Sequence, residues 1–397
     1  MVGALALLAG CLGATTQAQL RGRISLTKEV YLAGEPIYVL FEFTNVGKDA
    51  VQFTAGDPYS DGCGGYSVEV SKGPTPAHSS CEQGGAGECI VSTQILSGGA
   101  TQYQNILVNY AHNVSKSGDY EIHAAQALNY GPITGDFNSS AGNEEFKVEA
   151  RFQIRVIEGD RERLEAIYRP YVTNLVSKDA QIQRDAERAI VSGSPAWLED
   201  TILGMLRQYT SREFALLGLK NLNTARSREE LAKIVQRTSE FTQENERAVG
   251  YLAQMGDKKY FPLLREIAQK QPPNQARDYV SAAAELGGED ALPFLSGLMS
   301  SADPFSQSNG VMGLEKTGSR MAVPLLIETL KKTDLDLGKL ALIGLTGLTH
   351  RTPFTGGRLY NETPWEEYGR WAAWWLANGS SAPVYGPRQC GEIEMLP

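Results

Sequence analysis

The feature that most constrains the fold of this chain is a short pattern that recurs at a fixed interval. In each copy a glycine is followed six residues later by a proline and then by two apolar residues. Successive copies lie 31 residues apart, and they pair Gly256 with Pro262, Gly287 with Pro293, and Gly318 with Pro324. A fixed period of this length is typical of a solenoid built from stacked pairs of helices.

Each copy of the pattern predicts the end of one helix and the start of the next. Glycine adopts the left-handed conformation that often follows a helix, so Gly256, Gly287 and Gly318 are expected to end helices. Proline is tolerated in the first turn of a helix, where its missing N–H has no intrahelical partner to lose. Because one helix pair cannot bury its own apolar face, neighbouring pairs are expected to stack.

These packing residues resemble the HEAT-like repeats of bacterial proteins, in particular the short kind named after phycobilisome lyases. The resemblance implies an α-helical solenoid that presents an extended surface to a protein partner. It does not imply lyase activity, because no chromophore-handling residue is matched.

The first residues of the chain predict export. Residues 1–14 are almost wholly apolar and small, and Thr16 and Ala18 occupy the small-residue positions of a cleavage site. The stretch that ends at Cys11 also resembles the lipobox of bacterial lipoproteins, in which this cysteine would carry the lipid. We favour cleavage after Ala18, which makes residues 1–18 a signal peptide and the protein extracytoplasmic, in a bacterial cell envelope, periplasm or medium.

Residues 20–158 predict an antiparallel β-sandwich, because short β-branched and aromatic segments alternate with turn signals. The predicted strands lie at residues 21–27, 37–44, 50–54, 66–70, 102–109, 118–125 and 146–157. The run from Tyr31 to Gly47, with Gly34, Glu35 and Pro36 in its turn, resembles the opening hairpin of bacterial Ig-like domains. That group includes proteinase-inhibitor-like sandwiches.

The cysteines are consistent with an exported protein. Loss of the signal leaves Cys63, Cys81, Cys89 and Cys390, which permit three pairings. Cys81 and Cys89 flank a glycine-rich loop, so we predict a disulfide between them. By elimination Cys63 and Cys390 then either pair with each other or stay reduced. A zinc site is disfavoured because no Cys-x-x-Cys pair occurs, and no cofactor is predicted.

Residues 159–378 predict helices throughout. Upstream of the clear repeats these helices lie at 161–176, 179–191, 195–209, 213–222 and 228–238. Ser194 precedes a proline and is expected to cap the third of them, and Thr210–Glu213 fits a capping box for the fourth. The position 31 residues before Gly256 is Ala225, between two predicted helices, so the repeat extends upstream in degenerate form.

The last helix of this region is rich in tryptophan, at Trp365, Trp371, Trp374 and Trp375. A Leu-Thr-Gly sequence, a loop and this helix resemble the closing segment of many bacterial HEAT-repeat proteins. We favour a cap on the last repeat over an exposed aromatic binding patch, because large aromatic side chains gain most from burial. Residues 379–397 are predicted to form an irregular tail.

Composition and motifs restrict the function. The net charge of −9 argues against nucleic acid as a partner, and beyond the N-terminus no apolar run is long enough for a membrane helix. The sequence contains no nucleophile elbow, phosphate-binding loop or zinc-binding helix motif. We therefore expect a non-enzymatic interaction scaffold that binds a protein partner through the solenoid, the sandwich or both.

Two other functions stay open. An enzyme or ligand-binding receptor would have its site at the junction of the two domains, with candidate groups His350, Arg351, Arg358 and Tyr360 in the loop before the last helix. A deep pocket with converging polar groups would favour that function. A proteinase inhibitor would instead use an exposed, rigid loop of the sandwich.

Overall fold

The protein combines a β-rich unit with an α-helical unit, which confirms the predicted mixture of β and α structure. The computed structural model describes residues 19–56, 65–73, 91–112, 114–133, 144–237, 242–331, 334–352 and 364–386. The chain divides into two compact units, Met1–Leu164 and Glu165–Pro397. The division lies a few residues beyond the boundary predicted at residue 158.

The described part of the first unit forms two sheets. Its strands are β1 (Leu20–Leu26), β2 (Val30–Leu32), β3 (Tyr38–Asn45), β4 (Val51–Gly56), β5 (Tyr66–Lys72), β6 (Val91–Leu96), β7 (Thr101–Leu107), β8 (Gly118–Pro132) and β9 (Glu144–Ile157). One sheet has the order β1-β3-β7, and the other has the order β2-β9-β8-β4-β6, with β5 paired to β8. All pairs are antiparallel except β2 with β9, which is parallel.

The two sheets share an apolar interior. Along β3 every second residue is buried, as expected for a strand with one face towards a core. One core cluster includes Phe41 and Ile106 from the three-stranded sheet together with Ile122 and Ile154 from the six-stranded sheet. Members of both sheets meet in this cluster, so the two sheets contribute to one core.

The turn at Gly34–Pro36 is held by a buried carboxylate. The backbone N–H of Leu32 donates to Glu35 Oε2 at 2.9 Å, and Glu35 also pairs with Lys28. The Asn109 side chain accepts from Ile37 N at 2.7 Å and donates to the Glu35 carbonyl at 3.1 Å. Asn109 lies in a short helix, α1 (Val108–Ala111), so the strand predicted for 102–109 ends earlier than expected.

Asn45 joins two turns of the first unit and is fully buried. Its side-chain amide donates to the carbonyl oxygens of Asp49 at 2.8 Å and Leu96 at 2.9 Å. Its side-chain oxygen accepts from Gly47 N at 3.0 Å. The polar end of this side chain therefore replaces water for backbone groups that the fold removes from solvent.

Helices are the regular structure of the described part of the second unit, and the first of them begins four residues before the division. They are α2 (Arg161–Asn174), α3 (Ala180–Gly193), α4 (Glu199–Met205), α5 (Arg212–Leu222), α6 (Ala225–Arg237), α7 (Gln243–Gln254), α8 (Phe261–Lys270), α9 (Arg277–Gly287), α10 (Leu292–Met299), α11 (Pro304–Lys316), α12 (Ala322–Thr329), α13 (Leu335–Thr349) and α14 (Pro364–Asn378), with short 3₁₀ turns between some of them.

From α3 to α13 these helices form two layers. Each odd-numbered helix contacts the next odd-numbered helix, in the order α3, α5, α7, α9, α11 and α13. Each even-numbered helix from α4 to α12 packs against the odd-numbered helix that follows it. We call α3, α5, α7, α9, α11 and α13 the first layer. Each helix pair therefore buries its apolar face against its neighbours along the chain.

A residue with positive φ, which we call left-handed, follows every helix of the first layer. Gly256 has φ 73° and Gly318 has φ 59°, at the positions expected from the repeat. The second copy differs, because Gly287 has φ −76° as the last helical residue and Gly288 takes φ 57° instead. A Cβ at Gly287 would lie 2.8 Å from the Phe261 ring, so close packing rather than backbone conformation requires glycine there.

The other helix ends of the first layer use larger residues. Ser194, Asn223 and His350 have φ values of 34°, 48° and 51°, so the left-handed positions follow one another at intervals of 29, 33, 32, 30 and 32 residues. The prediction that Ser194 caps the next helix is wrong, since it follows α3 and its hydroxyl donates to the Val191 carbonyl at 2.6 Å. The repeat thus continues on both sides of the three glycine copies.

The repeat prolines lie in first turns. Pro262 and Pro293 occupy the first or second position of α8 and α10, and Pro324 is the third residue of α12. The capping box predicted for Thr210–Glu213 is wrong, because Ser211 makes no side-chain cap for α5. Ser211 instead donates to the buried carboxylate of Glu187 on α3 and so links two repeats.

A matched pair of glycine substitutions in α7 and its following turn tests the left-handed helix ends. Gly256→Ala is expected to lower the free energy of unfolding by about 1–2 kcal/mol, because an L-residue is strained at φ 73°. Gly250→Ala, inside α7, is expected to raise it by about 0.5–1 kcal/mol. A Cβ at either position meets no atom within 4 Å, so urea unfolding of the two variants compares backbone effects alone. Equal shifts in the same direction would contradict this assignment.

Candidate functional site

Helix α14 has one buried face and one exposed face. Trp371 is fully buried, whereas Trp365 is 45% exposed and Leu376 is 91% exposed. Trp374 and Trp375 are half-buried, and the Trp371 and Trp374 rings meet edge to face with centroids 5.6 Å apart. Since α14 packs against α12 and α13, its buried face covers the end of the last described repeat.

Three basic side chains from three different segments lie over aromatic rings of α14. Arg351, just after α13, lies 5.0 Å from the centroid of the Trp374 ring. Lys331, just after α12, lies 4.7 Å from that of Tyr368, and Arg320, before α12, lies 5.7 Å from that of Trp375. Each distance is within the range of a cation–π interaction. The basic residues therefore fix α14 at three points along its length.

The candidate groups for a junction site are only partly described. His350 ends α13, and its ring stacks on that of Tyr385 with centroids 3.8 Å apart and planes 2° from parallel. Arg351 takes part in the contact with Trp374. Arg358 and Tyr360 lie outside the described residues. The structure therefore brings His350 and Arg351 to aromatic side chains of the C-terminal region.

Charged residues link successive helices of the first layer. Arg247 on α7 pairs with Glu213 on α5, and Arg212 on α5 pairs with Glu244 on α7 at 3.4 Å. On the next helix, α9, Asp278 acts electrostatically on Glu246 of α7. We call these residues the charged ridge: Arg212, Glu213, Glu244, Glu246, Arg247 and Asp278. The ridge offers a partner both signs of charge across three repeats.

The acidic side of the charged ridge contains one perturbed carboxylate. Partial burial raises the pKa of Glu246 above its ordinary value, and the nearby carboxylate of Asp278 raises it further. Arg247 opposes this shift. A basic group from a partner would relieve the repulsion between Glu246 and Asp278, so this part of the ridge favours a cationic contact.

A second carboxylate, on the β-rich unit, has the opposite shift. Hydrogen bonds from Lys72, Gln153 and Ser71 hold the pKa of Glu121 at about 2. The Lys72 Nζ and Gln153 Nε2 atoms lie 3.0 and 2.8 Å from Glu121 Oε2. These groups come from β5, β8 and β9, so the ionised carboxylate joins three strands of the six-stranded sheet.

The low pKa of Glu121 predicts a specific response to acid. Because the folded-state pKa lies below the ordinary value of 4.5, Glu121 stabilises the fold above that pH. This contribution is lost as the pH falls from about 4.5 to about 2. In Glu121→Gln we expect lower stability than wild type at pH 7 and a smaller difference at pH 3, measured by urea unfolding. Glu29→Gln is the control, since the Glu29 side chain is exposed, and a constant difference for Glu121→Gln would refute the assignment.

The remaining predicted site residues lie outside the described residues. They are Cys11, Cys63, Cys81, Cys89 and Cys390, together with the whole predicted signal peptide. Within the described residues, no group of three or more His, Cys, Asp or Glu side chains is arranged to hold a metal ion. No helix in the same part of the chain is both long and apolar enough to cross a membrane.

Comparison with known proteins finds neither a matching family model nor a matching curated protein. Similar solved structures include the complex of CpcE and CpcF of phycocyanin lyase from Nostoc sp. PCC7120, which is 18% identical to this chain. The likeness covers 45% of this chain and 75% of that chain, with a TM-score of 0.31. An engineered protein is 17% identical to this chain, and the likeness covers 57% of this chain and 72% of the engineered protein, with a TM-score of 0.30.

The native form of α-2-macroglobulin from E. coli is also similar, with 11% identity and a TM-score of 0.19. That likeness covers 91% of this chain but only 26% of the E. coli protein. The expectation that this chain is not an enzyme is contradicted by the first of the similar structures, which is named as a lyase, and that expectation is withdrawn.

Proposed function

We propose that this chain is an exported protein-interaction scaffold in which an Ig-like β-sandwich precedes a HEAT-like α-solenoid that binds a partner protein. The observation that carries the proposal is the sequential contact of α3, α5, α7, α9, α11 and α13, each ended by a left-handed residue. Helix pairs that contact only their neighbours present an extended surface along the array, and proteins of this architecture use such surfaces for binding.

The β-rich unit supports the sandwich half of the proposal. Its two sheets share a core, and its strands are mainly antiparallel, as in Ig-like domains. The turn held by Glu35 lies in the sequence that resembles the opening hairpin of those domains. Glu35 and Asn109 hold this turn through hydrogen bonds within the unit, so a structural role accounts for the resemblance without a binding role. The partner surface is therefore assigned to the helical unit.

The charged ridge is the proposed partner surface. Glu213 is 61% exposed and Arg247 33% exposed, so both ions of this pair are open to solvent and to a partner. Exposed pairs of this kind contribute little to stability, about 0–1 kcal/mol, and are therefore available to set specificity.

A charge exchange tests the ridge without removing its ion pair. The double variant Glu213→Lys with Arg247→Glu keeps opposite charges across α5 and α7 but reverses their order. The control is Glu266→Lys with Lys270→Glu, which exchanges an exposed pair within α8. In affinity capture from an envelope fraction, we expect wild type and control to retain the same protein and the ridge variant to lose at least nine-tenths of it. Equal capture by all three would refute the ridge as the binding surface.

Export is part of the proposal and has its own test. The prediction of export rests on the apolar N-terminal segment followed by the small residues Thr16 and Ala18. Intact-mass measurement of the protein extracted from cells is expected to give a chain that begins at Gln19. A lipid-modified Cys11 would show that the chain is anchored by a lipid and is not cleaved after Ala18. A chain that retains Met1 would refute export.

A further inference from the structure

The chain turns back on the helical unit after α14. The backbone N–H groups of Ser381 and Ala382 both donate to the Asn378 carbonyl, at 2.9 and 2.7 Å, and this ends the helix. The residues that follow have neither helical nor strand structure. We call residues 379–385 the strap. Its contacts with the preceding repeats are made at two places.

The first contact is a guanidinium group on two backbone carbonyls. Arg320, in the turn between α11 and α12, donates from Nη1 to the Gly379 carbonyl and from Nη2 to the Ala382 carbonyl, the latter at 2.6 Å. Trp375 lies under the same guanidinium. A charged donor shared between two carbonyl oxygens makes stronger hydrogen bonds than a neutral donor does. The Arg320 guanidinium therefore recognises the bent backbone of the strap through these two carbonyl groups, and neither bond goes to a side chain.

The second contact is at the end of α13. The Tyr385 backbone N–H donates to the Leu348 carbonyl at 2.9 Å. Carbonyl groups in the last turn of a helix lack intrahelical partners, so Leu348 is a natural acceptor for an added chain. The Tyr385 ring stacks on His350, whose left-handed backbone ends α13. This contact combines one backbone hydrogen bond with one aromatic ring.

Two side chains of the strap define the proposed pattern. Ala382 is 9% exposed, so its position admits a small side chain, and Tyr385 provides the aromatic ring three residues later. The Arg320 guanidinium donates to two backbone carbonyls of the strap, and the Leu348 carbonyl accepts from a strap N–H. A peptide that bends in the same way, with a small residue followed three positions later by an aromatic residue, has the same features.

We propose that Arg320, Leu348 and His350 form a peptide-binding site that the strap occupies within the same molecule, and that a peptide with the small-x-x-aromatic pattern and the same bent backbone displaces the strap. The inference rests on the proposed role of the helical unit as the partner-binding part, and it names the chemistry of one partner segment. The strap then competes with the partner, so the apparent affinity of the partner falls as the effective concentration of the strap rises.

The site can be tested with the chain's own sequence as the probe. A fluorescent peptide Gly-Ser-Ser-Ala-Pro-Val-Tyr, identical to residues 379–385, is titrated with the full-length chain and its variants and followed by anisotropy. Tyr385→Ala removes a side chain that is 38% exposed, so it is expected to leave the fold intact while it weakens the strap. We expect this variant to bind the peptide at least tenfold more tightly than wild type does.

Two controls identify the site. A peptide with Ala in place of its final Tyr is expected to lose binding to Tyr385→Ala, because the stacking partner of His350 is absent. Adding His350→Ala to the Tyr385→Ala variant is expected to weaken binding of the original peptide at least fivefold. Circular dichroism of both variants at the assay temperature verifies that the helical unit is folded.

Several results would overturn this inference. Equal affinity for wild type and Tyr385→Ala would mean that the strap does not compete. Absence of binding to folded Tyr385→Ala, or binding that does not depend on the aromatic residue, would exclude the site. These failures are distinguishable from failure of the proposed function, which is tested by the capture experiment. If the peptide does not bind but the double variant of Glu213 and Arg247 still loses the captured protein, the proposed function stands and only this site is excluded.

Discussion

Replacing Trp371 by alanine is expected to lower the free energy of unfolding of the helical unit by about 3–5 kcal/mol, the range for loss of a large buried aromatic side chain. The Trp371 side chain is fully buried, and it contacts Trp374 in the helix that covers α12 and α13. Its removal leaves a cavity at the end of the array, where repeats on only one side can compensate. Thermal and urea unfolding measure the effect.

The same helix supplies the control. Trp365→Ala removes an indole that is 45% exposed and is expected to change stability by less than about 1 kcal/mol. Trp375→Ala should fall between the two, because its ring is half-buried under Arg320. Hydrogen exchange in the Trp371 variant should rise first in α12 and α13. Shifts near zero for both Trp371 and Trp375 would refute the cap and leave α14 as an aromatic binding patch.

In the β-rich unit, Asn45→Ala is expected to lower the free energy of unfolding by about 2–4 kcal/mol, since it takes hydrogen bonds away from buried backbone groups. The lost partners are the carbonyl oxygens of Asp49 and Leu96 and the N–H of Gly47. The bond to the Leu96 carbonyl is buried, so water does not readily replace it. Urea unfolding followed by β-sheet circular dichroism measures the loss.

Two further variants separate this explanation from simple loss of side-chain volume. Asn45→Asp keeps the oxygen that accepts from Gly47 but replaces the donor with a second acceptor, which then faces two carbonyl oxygens. We expect it to be at least as destabilising as Asn45→Ala. Asn129→Ala, at an exposed position of β8, should be close to neutral. A mild effect of Asn45→Asp would contradict the assigned direction of the hydrogen bonds.

The helix ends of the second unit were predictable where glycine marks them. Gly256 and Gly318 have the backbone conformation that the repeat indicates, because few other residues adopt it readily. The end of α5 at Leu222 is predicted without a glycine, but the left-handed backbone of Asn223, Ser194 and His350 is not, because no residue type signals it there. Their surroundings select the conformation: Ser194, for example, adds a hydrogen bond to the end of α3.

Two strands of the first unit were missed for different reasons. β2 has only three residues, beside a turn, and is defined by its parallel partner β9 rather than by any local pattern. β6, at Val91–Leu96, is rich in β-branched residues and was detectable, but it follows a long glycine-rich segment that obscured its start. Local propensity predicts strands and leaves their partners unspecified.

The charged ridge was beyond prediction from sequence. Glu213 looked like the end of a capping box, yet the structure pairs it with Arg247 on the next helix of the first layer. Pairing across stacked helices depends on the rotation of one repeat relative to the next, which helical periodicity does not give. The strap was expected to be irregular, and its contacts with Arg320 and His350 likewise require the folded neighbours.

The parallel pairing of β2 with β9 constrains the order in which the two units can form during synthesis. Val30 is matched with Arg155, 125 residues further along the chain, so the six-stranded sheet stays incomplete until almost the whole first unit has left the ribosome. The helical unit needs only neighbouring segments, and each newly made helix pair can join those already folded. A translational pause once residue 157 has left the ribosome should therefore help the β-rich unit, whereas later pauses should matter little to the helical unit.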